Sequence, residues 1–293
     1  MTDLPAIASA RGLTKSFGRK TVLHGIDFTI PAGRIYGLLG LNGAGKTTTL
    51  NTLLGLTDCG GQIEVLGLDP FRHRARLMND VAFVSDVASL PRYLKVRQLF
   101  DLVSAIHPRF DRQTAESFLE GTDLKPGLKI KTLSKGMLAQ LHLAVVMAID
   151  AKLLVLDEPT LGLDIVYRKR FYRRLLEDYM AEDRTLLITT HQVDEIAQIL
   201  TDIMFLKDGE IILDMPVDAI GERFAQVIVD KDRLADAEKL GPIYAETRFG
   251  QTAMVFERTP PERLEPLGQV SIPSLSDLFV TMVEREDDTR GAA

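Results

Sequence analysis

The chain has little cysteine and no long apolar run, and each shortage excludes a class of protein. Its single cysteine, Cys59, cannot form an intrachain disulfide, which is typical of a protein in a reducing cytoplasm. No stretch approaches the roughly 18 consecutive apolar residues that cross a bilayer. The N-terminus lacks a basic segment followed by an apolar stretch, so we expect no signal peptide. If this protein works at a membrane, we expect another chain to supply the spans.

Basic residues are fewer than acidic residues. The chain has 41 Asp and Glu against 35 Lys and Arg, a net charge of −6. This balance argues against a general nucleic-acid or anionic-membrane binder, although it leaves room for a local patch. The hydrophobic fraction of 45% is ordinary for a globular protein with a packed core. At 293 residues there is room for one large α/β domain with an appendage, or for two modest domains.

A glycine-rich loop lies between a predicted buried strand at 35–39 and a predicted helix with Leu50, Leu53 and Leu54 on one face. The loop, Gly40–Thr47, reads GLNGAGKT and fits the G-x-x-x-x-G-K-[ST] phosphate loop in the strand–loop–helix context that this motif requires. Its N–H groups form a nest for phosphate oxygens, and the helix adds its positive dipole end. We therefore predict that the chain binds a nucleoside triphosphate; a glycine turn that binds nothing is the alternative.

Four side chains have predicted roles at such a site. Lys46 offers a point charge to the β- and γ-phosphates, and the Thr47 hydroxyl is a ligand for Mg²⁺. Residues 152–159 read KLLVLDEP, a buried parallel strand that ends in two acids. Asp157 is predicted to hold the Mg²⁺ shell, and Glu158 to accept a proton from the attacking water. Helix capping is the alternative for this acidic pair.

The order of the remaining elements indicates a doubly wound α/β core, whose ligands lie at the carboxyl ends of the strands. Residues 6–31 predict antiparallel strands with Phe17-Gly18 in a turn, where Phe17 either stacks on a nucleobase or packs on the sheet edge. Residues 70–80 predict a basic helix, 60–69 a short strand pair, and 166–180 a further helix. A buried strand at 185–190 delivers His191 towards the γ-phosphate, and a hairpin turns at Asp208-Gly209.

Five separated motifs, in this order, resemble the nucleotide-binding subunit of ATP-binding cassette (ABC) transporters over roughly residues 6–215. Phe17 falls where that family has its adenine-stacking aromatic. The motifs are the phosphate loop (Gly40–Thr48), LSKGM (Leu133–Met137) at the place of the LSGGQ signature, LLVLDEP with the catalytic glutamate, the D-loop (Gly162–Asp164) and the switch histidine His191.

The resemblance implies an α/β fold: a P-loop NTPase core of ABC type with an antiparallel β subdomain, a helical subdomain and a small α+β C-terminal appendage. The ABC ATPase domain is predicted at 1–215, its helical subdomain at about 86–150, the accessory domain at 216–285 and a disordered tail at 286–293. From about 216 the sequence predicts a small antiparallel sheet and a closing helix.

The resemblance also implies that ATP with Mg²⁺ lies between the phosphate loop of one subunit and the signature of a second. Ser134 and the Gly136 N–H open a helix and so offer an anion site. The implied ATP-binding residues are Phe17, Asn42, Gly43, Ala44, Gly45, Lys46, Thr47, Thr48, Ser134, Gly136 and Asp164. The implied catalytic residues are Glu158, His191 and Lys46, and the implied metal ligands are Thr47, Asp157 and Asp86.

Two departures from the family pattern affect these expectations. Asp86 stands where the family usually has a glutamine that contacts Mg²⁺ and the membrane partner. A carboxylate keeps the capacity to coordinate, but coupling to the partner is put in question. Lys135 and Met137 replace a glycine and a glutamine of the signature, and Lys135 either approaches the γ-phosphate or is solvated. Similar signatures occur in subunits that pair with ABC-2 type exporter permeases.

We therefore expect an ATPase subunit, cytoplasmic and peripheral on the inner face of the cell membrane, that energises a separate integral membrane permease for export. Its partners would be that permease and a second ATP-binding subunit, in a homo- or heterodimer, and no nucleic acid. The alternative is a soluble ABC ATPase acting on the ribosome or DNA, but the chain has no tandem cassette, heptad array or cysteine cluster. A regulatory or degraded cassette, suggested by Asp86, is a third possibility.

Overall fold

The computed structural model describes residues 5–84, 90–179 and 184–285. Its strands are β1 (Ala6–Phe17), β2 (Lys20–Pro31), β3 (Ile35–Leu39), β4 (Gly60–Val65), β5 (Val81–Val84), β6 (Leu153–Asp157), β7 (Thr185–Thr190), β8 (Asp202–Lys207), β9 (Glu210–Pro216), β10 (Phe224–Val229), β11 (Tyr244–Arg248), β12 (Gln251–Glu257) and β13 (Gly268–Ser271). Its α-helices are α1 (Lys46–Leu53), α2 (Arg74–Leu77), α3 (Val96–Ile106), α4 (Arg112–Phe118), α5 (Lys135–Met147), α6 (Ile165–Arg174), α7 (Val193–Ile196), α8 (Ile220–Arg223), α9 (Leu234–Glu238), α10 (Pro261–Leu264) and α11 (Leu275–Glu284). Short 3₁₀ turns occupy Ile130–Thr132, Val217–Ala219, Lys231–Arg233 and Glu265–Leu267, and a π-helical turn occupies Leu175–Tyr179.

A six-stranded sheet of order β5-β6-β7-β3-β8-β9 carries the predicted α/β core. Its strands β5, β6, β7 and β3 pair in parallel. Every residue of β3, β6 and β7 is buried, as expected for strands covered on both faces. These three strands end beside one another. Their carboxyl ends therefore bring the phosphate loop, Glu158 and His191 to one edge of the sheet.

A separate antiparallel sheet of order β2-β1-β4 confirms the predicted β subdomain. Phe17 pairs with Lys20 across the turn, so the aromatic side chain is at the hairpin end. The predicted strand pair at 60–69 is wrong, because a single strand, β4, pairs along β1. Val65 and Leu68 form only an isolated bridge across a tight turn.

Helices α3, α4 and α5 occupy the region predicted to be helical. The buried residues Val96, Leu99 and Phe100 of α3 recur at helical spacing, and Asp111 caps α4 by accepting from two N–H groups. The predicted basic helix over 70–80 is wrong in extent, because α2 spans only Arg74–Leu77. Asp69 accepts hydrogen bonds from the N–H groups of Phe71 and Arg72, which holds the preceding residues in a turn.

The chain divides into two compact units, Met1–His191 with Leu206–Ile211, and Gln192–Phe205 with Ile212–Ala293. The second unit contains an antiparallel sheet of order β11-β12-β10-β13 over a small apolar core that includes Val227 and Phe256. The short strand β13 was absent from the sequence-based prediction. The domain boundary after residue 215 stays a prediction, and the tail at 286–293 lies outside the described residues. No described helix combines the length and apolarity needed to cross a bilayer.

Candidate active site

A cavity of about 420 Å³ lies at the carboxyl edge of the six-stranded sheet, where the phosphate loop leaves β3. Gly45 caps α1 with φ of +109°, and an added Cβ there would meet the Leu23 side chain at 2.9 Å. Only glycine suits that position. The cavity is lined by Phe17, Lys20, Val22, Asn42, Gly43, Gly45, Lys46, Thr47, Thr48, Asp157 and Glu158.

Lys46 is the buried cation of this cavity. Its side chain is 7% exposed, and Nζ donates to the carbonyl oxygens of Gly40 at 2.7 Å and Leu41 at 3.2 Å. Burial lowers the pKa of Lys46, and the nearby carboxylates of Glu158 and Asp157 act in the opposite direction. A lysine that is folded back on its own loop is within reach of an anion that enters the loop. Such an anion would recover the solvation that the ammonium loses.

Asp157 is held by hydroxyl groups on both sides. Thr47 Oγ1 donates to Asp157 Oδ2 at 3.0 Å, and Thr189 Oγ1 donates to Asp157 Oδ1. The carboxylate is 2% exposed and lies opposite Thr189 in the β6–β7 register. One carboxylate and one hydroxyl at the mouth of a phosphate loop are the oxygen ligands that Mg²⁺ uses together with substrate phosphates. This donor set therefore fits a magnesium ion held by Thr47 and Asp157.

Glu158 and His191 form the polar end of the site. His191 Nδ1 lies 2.9 Å from Glu158 Oε2. The backbone of Glu158 has φ of +48°, a left-handed conformation that is costly for a residue with a side chain. Its N–H donates to the carbonyl oxygen of Thr189 at 3.1 Å, which holds this conformation in place. The carboxylate thus lines the cavity with a histidine partner and is suited to accept a proton from water.

Phe17 stands at the rim of the same cavity. Its side chain is 55% exposed, and Lys15 Nζ lies 5.0 Å from the ring centroid. An exposed aromatic beside a phosphate-binding loop offers a flat face to a nucleobase. This exposure argues against the alternative in which the Phe17 ring packs on the sheet edge.

Ser134, Gly136 and Asp164 line a different cavity, of about 340 Å³. Ser134 Oγ caps α5 by accepting from the Met137 N–H at 3.2 Å. Asp164 caps α6 by accepting from the N–H groups of Val166 and Tyr167. Both polar side chains therefore have a structural role in their own helices as well as a place in this second cavity.

The structure brings most predicted residues into two groups. Ala44 is buried within the phosphate loop, and His191 joins the first cavity through Glu158. Asp86 lies outside the described residues. A larger cavity of about 930 Å³, between β1, β4 and the segment at 69–72, holds none of the predicted site residues.

Sequence reasoning missed three contributors to the first cavity. Lys20 and Val22 line it because β2 runs back from the Phe17 turn, so the predicted hairpin contained the signal. Thr189 bonds both Asp157 and the Glu158 N–H. Its signal was a hydroxyl near the end of a buried strand, β7, directly before the predicted His191.

Comparisons with known proteins agree with this architecture. Residues 23–161 match the family model described as ABC transporter. The Nod factor export ATP-binding protein I of Rhizobium meliloti (strain 1021) is 32% identical over 96% of this chain and 90% of its own length. The ABC transporter ATP-binding protein YtrB of Bacillus subtilis (strain 168) is 30% identical over 74% of each chain. A solved ATP-binding subunit of an ABC transporter shares the fold with a TM-score of 0.67 at 22% identity, over 74% of this chain and 92% of that one.

Proposed function

Because this chain belongs to the ABC transporter family as an ATP-binding subunit with ATPase activity, we propose that it hydrolyses Mg-ATP between two protomers and energises a separate membrane permease for export. The observation that carries the proposal is the convergence of Lys46, Asp157 and Glu158 on one cavity with the phosphate loop. Each of these groups has a separate role in the transfer of a phosphoryl group to water.

In this proposal the N–H groups of the loop and the Lys46 ammonium bind the β- and γ-phosphates. Thr47 and Asp157 hold Mg²⁺, which supplies positive charge to the phosphate oxygens when it is bound. Glu158 accepts a proton from the attacking water. His191 keeps the carboxylate oriented and reaches towards the γ-phosphate.

The dimer is supported by the separation of the predicted ATP-binding residues into two cavities. Ser134 and Gly136 begin the thirteen-residue helix α5, whose N-terminus attracts anions. A second protomer that presents this helix end to the phosphate loop completes the shell around the triphosphate. The two cavities share no described lining residue, and we therefore assign the second half of the site to a partner.

Three parts of the proposal rest on similarity to other proteins. They are the membrane permease, the direction of transport and the position at the inner face of the membrane. The relative named for Nod factor export matches nearly the full chain, and the LSKGM signature favours ABC-2 type partners. Gentle purification from the native membrane tests this part of the proposal. A polytopic membrane protein in the preparation supports it, whereas ribosomes or DNA in its place overturn it.

Glu158→Gln tests the enzymatic part of the proposal. We expect phosphate release to fall by about 100-fold or more, because the proton acceptor is lost. ATP-dependent dimers, measured by light scattering after size exclusion, should persist. Glu238→Gln, an exposed carboxyl of α9, is the matched control and should turn over normally. Wild-type turnover in Glu158→Gln would refute the role of Glu158 as the base.

A further inference from the structure

Two segments of the helical region carry cations and no acids, in a chain whose acids outnumber its bases. Residues 91–100 and 124–133 contain no Asp or Glu. The two segments are joined by backbone hydrogen bonds, from the Ile130 N–H to the Leu94 carbonyl at 2.9 Å and from the Val96 N–H to the Leu128 carbonyl at 3.0 Å. We call the cations of these two segments, together with Tyr93, the basic surface; it consists of Arg92, Tyr93, Lys95, Arg97, Lys125, Lys129 and Lys131, all of them exposed or half-exposed.

The pairing of the two segments brings cations of both segments together. Lys95 and Lys129 are direct partners in an isolated antiparallel bridge, and opposite residues of such a bridge point to the same face. Tyr93 lies in the turn two residues before Lys95, and Lys131 lies in the 3₁₀ turn directly after the bridge; both side chains are exposed. The alternate position is taken by Ile130, which is fully buried. Lys129 and Lys131 are exposed, so the charge faces outward.

This arrangement is repulsive within the chain itself. The bridge between Lys95 and Lys129 is of the non-hydrogen-bonded kind, in which side chains are closest, and like charges there are destabilising. Arg97 lies in the first turn of α3, where the helix dipole disfavours a cation and no acid is present. The first acid beyond it, Asp101, is paired with Arg112. In the described part of the chain no ion pair neutralises these six cations, so an anionic partner would relieve their repulsion.

We propose that the basic surface binds the anionic phospholipid headgroups of a membrane. Tyr93, 78% exposed between Arg92 and Lys95, has the amphipathic ring that favours the headgroup level of a bilayer. Four of the six cations are lysines, whose flexible point charges suit a diffuse anionic surface better than a planar bidentate ligand.

The choice of lipid over protein rests on the proposed function. Cytoplasmic loops of membrane proteins carry an excess of Lys and Arg, so the loops of a permease would repel this surface. The cytoplasmic leaflet has a negative surface potential and would attract it. The basic surface thus gives this subunit a membrane contact of its own, in addition to the permease.

Flotation of the full chain with permease-free vesicles tests the proposal. We expect binding to vesicles of phosphatidylcholine mixed with phosphatidylglycerol, little binding to phosphatidylcholine alone, and loss of binding at high salt. Lys129→Gln with Lys131→Gln should lower the partition coefficient about 25-fold, because each lysine near an anionic bilayer contributes about fivefold. ATP turnover of this double variant in solution should equal that of the wild type, which also shows that it folds.

Lys231→Gln with Lys239→Gln is the matched control, because each of these exposed lysines has an acid beside it. Asp232 follows Lys231 in the chain, and Asp236 forms an ion pair with Lys239. It should bind vesicles like the wild type. Equal binding to neutral and anionic vesicles, or wild-type binding by the Lys129 and Lys131 double variant, overturns the proposal. If that variant still binds vesicles but no longer copurifies with a permease, the surface docks a protein and the lipid assignment is wrong. Absent ATP turnover in the wild type would contradict the proposed function and leave the vesicle result standing.

Discussion

His191 Nδ1 lies 2.9 Å from Glu158 Oε2, and this contact joins the ends of two neighbouring parallel strands. β6 ends at Asp157, directly before Glu158, and β7 ends at Thr190, directly before His191. The two side chains meet because each is the first residue beyond its strand. The histidine side chain is 43% exposed and that of the glutamate 17%, so both remain open to water. A half-buried proton acceptor that contacts a histidine has a defined direction for the water that it activates.

His191→Ala should lower the turnover number by about 100-fold, because the Glu158 carboxylate loses the group that orients it. ATP binding should change much less, since the phosphate loop is untouched. Phosphate release and a nucleotide titration measure the two quantities separately. The control is His73→Ala, an exposed histidine before α2, which should behave like the wild type. A loss of ATP affinity that accounts for the whole effect would contradict the orienting role.

Thr189→Val should weaken the magnesium site without removing a ligand. Valine has the same shape but leaves Asp157 Oδ1 without the hydroxyl that donates to it, in a position that is fully buried. Loss of such a supporting bond typically costs 10- to 100-fold in metal affinity, so we expect the Mg²⁺ concentration for half-maximal turnover to rise by about tenfold or more. The free energy of unfolding should fall by about 1–3 kcal/mol.

Thr189→Ser is the matched control for that substitution, because serine keeps the hydroxyl and removes only a methyl group. It should retain the wild-type dependence on Mg²⁺. If both variants lose stability equally and neither changes the dependence on Mg²⁺, Thr189 has only a packing role.

The family membership was predictable from sequence because its motifs are local: a loop of eight residues, a strand that ends in two acids and a histidine after another strand. Secondary structure was predictable where the turn residues are characteristic, as in the hairpin at Asp208-Gly209, whose two turn residues both have positive φ. Helix lengths were wrong where side chains compete for backbone groups, as Asp69 does before α2. The role of Thr189 depends on the lateral register of β6 and β7, and a single sequence does not contain that register.

Phe17→Ala should raise the Michaelis constant for ATP with little change in the turnover number. Stacking of a base on an aromatic side chain is worth about 1–3 kcal/mol, which corresponds to about a 5- to 150-fold loss of affinity. Phe17→Trp should restore affinity, and Phe249→Ala, a fully exposed aromatic between β11 and β12, should have no effect. Inorganic tripolyphosphate, which has no base, should inhibit the wild type and Phe17→Ala equally. Unequal inhibition would mean that Phe17 acts on the phosphates.

Lys46→Met should show how much the buried ammonium of Lys46 destabilises the nucleotide-free chain. The effect should appear in how the free energy of unfolding depends on pH. Burial lowers the pKa of Lys46 below its ordinary value of 10.5, so the folded state releases this proton before the unfolded state does. Stability rises with pH wherever the unfolded state binds more protons. The free-energy cost of burying the charged ammonium is therefore fully present below the lowered pKa. It is lost as the pH rises from the lowered pKa towards the ordinary value.

The expected result is that the free energy of unfolding of the wild type, minus that of Lys46→Met, increases from neutral to alkaline pH. Urea unfolding at several pH values without nucleotide measures this difference, in which groups that titrate alike in both proteins cancel. A decrease towards alkaline pH would mean that Glu158 and Asp157 outweigh burial and raise the pKa of Lys46. In that case the empty phosphate loop would stabilise its cation, and entry of a triphosphate would relieve no penalty there.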